Sequence, residues 1–470
     1  MIDDAVFPPG PGPAGVAVER HGVCYTAARW TPAGLAAVVN RLERDGGRAL
    51  AELSLERRLA AWCDAIARFR DPGSAESEAL RPALLRLCGL SAAGLDAALE
   101  AVLGGVDRPS AARLFDEAEG LQPSGAGRSG AGRPGSEGQA SGRQGSEGQG
   151  PGRSETGRQE AGRPGAGPSG LVAVILAGNL PALAVQPLLP ALALGRPVLL
   201  KSASAEPLFA PAFVRALVRA APELASAVAA ATWEGGAVEL EAPILERAAT
   251  VLVYGDQPAV DSVARRTRGT CVAHGPRASL AVVSAAADPA LAAAGLARDV
   301  ALFDQRGCLS VQAVYTDGDA AVLAGALARA LAERAAAWPP GPLDPSVAAA
   351  VQQVRAEARL RGLEQPAMAL AAGTVVVEPL PAFQPSPGLR TVRVHPLASL
   401  DAVVPALAAW RGRLSGAALA GAPAWALESA LAELGVARCA PPGELQSPDA
   451  LWHNGGLHPL AALGAPATGR

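Results

Sequence analysis

Lysine and asparagine are almost missing from this chain. Of its 41 basic residues only Lys201 is lysine, and asparagine stands only at Asn40, Asn179 and Asn454. Where arginine supplies nearly every positive charge, a retained lysine can mark a place that needs a compact ammonium and not a guanidinium fork. The plainer reading is that a single lysine must fall somewhere. Neither sign of charge dominates: the net charge is −3, which leaves no electrostatic case for nucleic acid or an anionic membrane as partner. The six cysteines (Cys24, Cys63, Cys88, Cys271, Cys308 and Cys439) stand far apart without a CxxC pair. Such a set reads as the reduced thiols of a cytoplasmic protein. The five histidines show no metal-ligand spacing, so no metal is expected. The opening "MIDDAVFPPGPGP" lacks the basic start and apolar core of a signal peptide.

What the chain has in quantity is Ala, Leu and Val, within 470 residues that suffice for two or three domains. Residues 1–121 read as mostly helical. "TPAGLAAVVNRLERDG" opens on a cap-like Thr31 and closes on Gly46, and "LSLERRLAAWCDAIARFRD" repeats the 3–4 apolar spacing. Residues 122–170 are Gly, Ser, Arg, Gln and Glu with "GSEGQ" twice, a composition too polar to offset its ordering entropy, and read as a disordered linker. Residues 171–195 then run 25 positions without a charge. A membrane span needs about 20 apolar residues, but Pro181, Pro187 and Pro190 interrupt the run. It divides better into a buried strand "LVAVIL", a turn "AGNLP", a helix "ALAVQPLLPALALG" and a second strand "RPVLLKS". Strand and helix continue to alternate, with "TVLVYGD" and "TCVAHGPRASLAVVSAAAD" as later strands. The expected class is α/β: a parallel-sheet dinucleotide-binding domain at 171–273 and an α/β catalytic domain at 274–470, with the helical N-terminal part packed on the first.

Chemistry gathers at "FDQRGCLS", Phe303 to Ser310. A free cysteine is most often a buried, inert thiol. Cys308, however, follows Gly307 at an expected sharp turn between the strand-like runs "DVALF" and "LSVQAVYT". "AGNLP", Lys201 at a strand end, "VLVYGD", "HGPRAS" and "FDQRGCLS" occur in that order. This ordered set resembles the aldehyde dehydrogenase superfamily, and within it the acyl-CoA reductases of the LuxC type, known from the fatty acid reductase of luminous bacteria.

The resemblance implies that Cys308 attacks an acyl thioester, with the Asn179 amide and the Cys308 backbone N–H as oxyanion hole. It places Lys201 and Ser202 at the adenosine ribose or its 2′-phosphate, Gly235 and Gly236 near the adenine, and Gly255 at the following turn. Asp256 stands where the superfamily often has serine, and a carboxylate there repels a pyrophosphate. Where hydrolytic members carry a glutamate, this chain has "VAHGPRAS", with Ala273 or His274 at that place. His274 is a candidate acid or base, its ordinary reading being a packed histidine. No carboxylate stands in "FQPSPGLRTVRV", the region matching the superfamily's nicotinamide-ribose glutamate. His453 and Asn454 are candidates for the site rim, or for a turn-rich surface.

The expected function is reduction of an acyl-CoA or acyl carrier protein thioester to an aldehyde with NADPH, NADH being the alternative. A homo-oligomer is compatible with the family. An oxidising NAD(P)-dependent aldehyde or semialdehyde dehydrogenase is the second enzymatic reading. A silent relative that binds a carrier protein or acts as a scaffold subunit is the reading of another class.

Overall fold

The computed structural model describes residues 2–10, 12–121 and 170–465; the low-complexity run of 122–169 lies outside the described residues. The first element is a small sheet that the helical reading of 1–121 missed. β1 (Ile2–Asp3), β2 (Gly15–Arg20) and β3 (Val23–Ala28) pair in the order β1-β3-β2. The β2–β3 hairpin turns on His21 and Gly22, both at positive φ (50° and 72°), which suits the twist of a two-residue hairpin. Helices follow. Thr31 caps Pro32–Arg41 by accepting the Gly34 N–H at 3.0 Å, as its sequence position predicts. The chain does not stop at Gly46: Leu42–Gly46 is a π turn that runs on into Gly47–Glu52. Ser54, Ser74, Ser91 and Asp107 cap the next four helices by the same device.

The second sheet is wholly parallel. β4 (Val172–Ile175), β5 (Val198–Ser202), β6 (Val228–Thr232), β7 (Thr250–Tyr254) and β8 (Thr270–His274) lie in the order β6-β5-β4-β7-β8. The chain winds one way from β4 and then returns to its other side with β7. The switch point, and therefore the crevice at the carboxyl ends of the strands, falls between β4 and β7. The N-terminal helices share one core with this sheet. Trp62 and Phe69 of helix Leu55–Arg70 pack on Phe213 of helix Phe209–Ala220, with ring centroids 5.2 and 5.6 Å away. Buried Arg58 donates to the Leu192 and Ala193 carbonyls at the end of helix Val185–Ala193.

The third sheet holds β9 (Ala278–Val283), β10 (Val311–Thr316), β11 (Thr374–Val377), β12 (Thr391–Pro396), β13 (Leu414–Ala420) and β14 (Arg438–Ala440), all parallel, in the order β11-β12-β10-β9-β13-β14. The single run "TCVAHGPRASLAVVSAAAD" is thus two strands in two sheets. Gly275, Pro276 and Arg277 carry the chain between them, and Pro276 cannot donate to either ladder. "DVALF" is also not a strand: Asp299–Ala301 close helix Pro289–Ala301, which starts at an Asp288 cap. From Pro441 to Ala465 the chain returns to the second sheet. There buried Arg196 donates to the Gly170 carbonyl and the Thr250 hydroxyl, both at 3.0 Å, and to the Leu463 carbonyl. Among the described residues no single helix is long and apolar enough to cross a membrane. A bent pair, Ala75–Cys88 with Ala92–Gly120, meets length and composition together but turns by 107°, and its apolar side belongs to the core.

Candidate active site

Cys308 is presented by a turn that local sequence alone would not form. After helix Pro289–Ala301, three successive non-glycine residues take left-handed conformations: Phe303 (φ 59°), Asp304 (49°) and Gln305 (64°). Each costs about 1–3 kcal/mol and persists only where surrounding contacts over-determine it. Here they do. Asp304 accepts from Arg390 Nη2 at 2.7 Å and from the Gly341 N–H at 2.9 Å. Gln305 donates to the Val311 and Thr391 carbonyls, both at 2.8 Å, and accepts the Thr391 N–H at 2.9 Å. The Gly307 N–H donates to Ser310 Oγ at 3.1 Å, and Ser310 donates in turn to Gln446 Oε1 at 3.1 Å. A Cβ on Gly307 would lie 2.6 Å from that same oxygen, so a larger residue there would displace the Gln446 side chain from Ser310.

The thiol faces a cavity of about 440 Å³ at the switch point of the second sheet. Burial raises the Cys308 pKa. The Ser415 hydroxyl, the Arg277 charge and the N–H groups of Cys308 and Leu309 work against that rise. Ser415 Oγ is buried without a hydrogen-bond partner, so its proton is free to turn towards the sulfur. Asn179, on the loop after β4, donates from Nδ2 to the Arg306 carbonyl at 2.8 Å. That bond ties the two loops together across the cavity and leaves the second amide proton uncommitted. His274, at the end of β8, stacks on Tyr254 with centroids 4.5 Å apart and planes 14° from parallel. Burial, with Arg277 nearby, pushes His274 down to about 4, and its Nδ1 has no partner. It is therefore neutral near pH 7. The Tyr254 hydroxyl meets the Asn454 side chain.

Of the residues singled out in the sequence, Cys308, Asn179, His274, Gly255 and Asn454 line this cavity; Lys201, Ser202, Gly235, Gly236 and His453 do not. Lys201 and Ser202 end β5, with Lys201 Nζ 5.8 Å from the Trp233 ring centroid. Gly235 and Gly236 are exposed, and a Cβ on either would meet nothing within 4 Å. His453 is exposed, its ring 5.1 Å from that of His458. Sequence reasoning assigned no role to Tyr254, Arg277, Ser415, Gln446 or Trp452. Tyr254 and Arg277 stood inside motifs already quoted, whereas Ser415 carries no local signal.

For a nicotinamide dinucleotide the fit is good at one end and poor in the middle. Ser202 Oγ is buried without a partner beside Lys201, as a ribose-binding hydroxyl would be. Asp256, in the cavity wall, accepts the Ala259 N–H at 2.9 Å and so fills the N-terminus of helix Gln257–Arg266 with its own carboxylate.

Two parallel sheets, a switch-point crevice and a thiol turned into it define an aldehyde-dehydrogenase-like protein, and solved structures agree on that fold. An NADP-dependent enzyme of E. coli matches with a TM-score of 0.68 at 15% identity, over 94% of this chain and 90% of that one. Aldehyde dehydrogenase 21 of Physcomitrella patens gives 0.67 at 14%, over 95% and 91%. An indole-3-acetaldehyde dehydrogenase of P. syringae gives 0.66 at 16%, over 94% and 89%. More particularly, residues 155–465 match the acyl-CoA reductase (LuxC) family, and the chain belongs to that family. A long-chain acyl-protein thioester reductase of Aliivibrio fischeri is 28% identical over 244 residues, 51% of each chain. A second, from Photobacterium leiognathi, is 27% identical over 157 residues, 32% of this chain and 33% of the relative. The chain thus aligns with about half the length of the first of these relatives and about a third of the second.

Proposed function

We propose that this protein reduces an acyl thioester to an aldehyde through an acyl group carried on Cys308. The observation that carries the reading is a thiol in a cavity without a usable water-activating base. Among the described residues Asp256 is the one carboxylate in its wall, and it is engaged as a helix cap. His274, with a pKa near 4, is a weak base, and proton transfer falls off as base strength drops below the operating pH. An acyl-enzyme there is poorly placed for hydrolysis and well placed for exchange.

The Cys308 thiolate attacks the thioester carbonyl carbon, a new C–S bond forms, and the donor's C–S bond breaks with its sulfur leaving as a thiolate. Asn179, through its uncommitted amide proton, stabilises the oxyanion. Losing one such donor typically costs about 10²–10³ in rate. Arg277 and Ser415 stabilise the thiolate before attack and again when the aldehyde leaves. A reduced nicotinamide supplies, when bound, the hydride that releases the acyl group as aldehyde. Lys201 and Ser202 would hold its adenosine end, with Gly235, Gly236 and Gly255 as the close-approach turns. The names of the relatives favour a protein-bound thioester as donor, acyl-CoA being its small-molecule counterpart.

Mixing the protein with acyl-CoA in the absence of cofactor, followed by intact-mass measurement and peptide mapping, tests this. One acyl adduct on Cys308 is expected. Cys308→Ser should lose the adduct and lower turnover by on the order of 10³ or more. An adduct on Cys271 or Cys439 would overturn the assignment. The preference for NADPH rests on Lys201. Lys201→Ala should weaken NADPH about 10–100-fold, the worth of a charge-assisted contact, and NADH only a few-fold. Equal losses in a fluorescence titration remove the preference.

A further inference from the structure

Behind the cavity lies a second, smaller chamber of about 40 Å³. Its far side is mostly apolar, with Val106, Pro187, Leu252, Ala450, Leu457 and Ala462, and holds one carboxylate, Asp449, which pairs with Arg113 at 3.8 Å. The two spaces share five residues: Gln186, Tyr254, His274, Trp452 and Asn454. Tyr254 and His274 sit at strand ends and are stacked on each other. Trp452 is different. It is the largest of the five, it comes from the turn-rich return segment, and its indole N–H is shielded from solvent without a hydrogen-bond partner. No polar contact at the indole nitrogen therefore opposes its removal or rotation.

We infer that the chamber is a subsite for the distal end of the acyl chain and that Trp452 is the partition setting how long a chain the site accepts. The inference rests on the acyl-transfer reading above. A chain extending from Cys308 fills the cavity first and then meets the indole. Beyond the indole the walls are mostly apolar, with Asp449 drawn to Arg113, so each further methylene that passes gains up to about fourfold, the equivalent of about 0.8 kcal/mol. A methylene stopped at the indole gains nothing.

The test is single-turnover acylation of Cys308 without cofactor, followed by mass, across saturated acyl-CoA substrates of increasing length. In Trp452→Ala the ratio of long-chain to short-chain rates should rise by at least about tenfold, two or more methylenes' worth. Adding Ala462→Leu, which fills the chamber from its far wall, should return the ratio towards the wild-type value. If the gain survives in the double variant, the tail occupies only the space left by the indole, and the chamber assignment falls. An unchanged ratio in Trp452→Ala overturns the partition. Should Trp452→Ala fail to fold by circular dichroism, Trp452→Phe gives the same comparison with a smaller opening. Wild type that forms no adduct at any length would remove the acyl-transfer reading itself, and this inference with it, whereas an adduct with an unchanged length profile removes the inference alone.

Discussion

Asp256 is the residue whose chemistry runs against its place. A helix N-terminus beside a dinucleotide crevice ordinarily receives phosphate, because its free N–H groups and dipole favour an anion. Here the protein's own carboxylate is already there, bonded to the Ala259 N–H. Serine caps a helix about as well as aspartate, so Asp256→Ser keeps the helix and removes the repulsion. We expect cofactor affinity to rise about three- to tenfold at low salt, with the gain shrinking as salt screens the charge. Fluorescence titration at two ionic strengths measures it. A loss of affinity would instead make Asp256 a direct partner of the cofactor. His274 teaches a related point. A histidine lining the cavity invites an acid–base role, but its burial against Tyr254 and Arg277 makes it neutral and weakly basic.

At the level of elements, the turn of Phe303, Asp304 and Gln305 is held from a distance. Arg390 lies 86 residues away and is fully buried, and its contact with Asp304 is the ion pair that pins the turn. Removing one partner of a buried pair typically costs about 3–5 kcal/mol. Arg390→Met should show a loss of that order in denaturant unfolding, and slower Cys308 acylation. The double variant with Asp304→Leu should recover part of the stability, since no charge is then left alone. The same distance explains what could be read in advance. Cys308, Asn179, Gly255, His274 and Asn454, which line the cavity, were singled out because the motifs around them resemble those of the aldehyde dehydrogenase superfamily. "DVALF" was misread because Val, Ala, Leu and Phe suit strand and helix alike, and no glycine or asparagine announces a left-handed turn imposed by Arg390 and Thr391. Gln446 and Ser415 gave no signal, since their contacts with the Cys308 loop span more than a hundred residues. The β2–β3 hairpin did leave one: Val16, Val18, Val23 and Tyr25 alternate with more polar neighbours around His21-Gly22, a pattern obscured by the helical stretches after it.

Across the whole molecule, three buried carboxyls among the described residues, Asp299, Asp4 and Glu206, have pKa values raised by burial and shape the response to pH. Burial pushes Asp299 up to about 7 and Asp4 up to about 6, both above their usual range. Groups raised in this way favour the protonated, folded form. Their contribution is full below the unfolded pKa near 4 and is lost as pH climbs to the folded value. For Asp299 the loss is at most on the order of 4 kcal/mol. Asp299→Asn should therefore melt higher than wild type at pH 8 and lose less between pH 5 and pH 8, as thermal scans would show. Asp299 accepts the Gly443 N–H at 2.6 Å, at the start of the segment that returns from the third sheet to the second. Gln446, Pro448, Trp452 and Asn454, all in that returning segment, form one side of the cavity. A ribosome delivers them about 140 residues after Cys308. Throughout that interval a nascent chain carries Cys308 without that side of its cavity, so the site is complete only after the returning segment has been made.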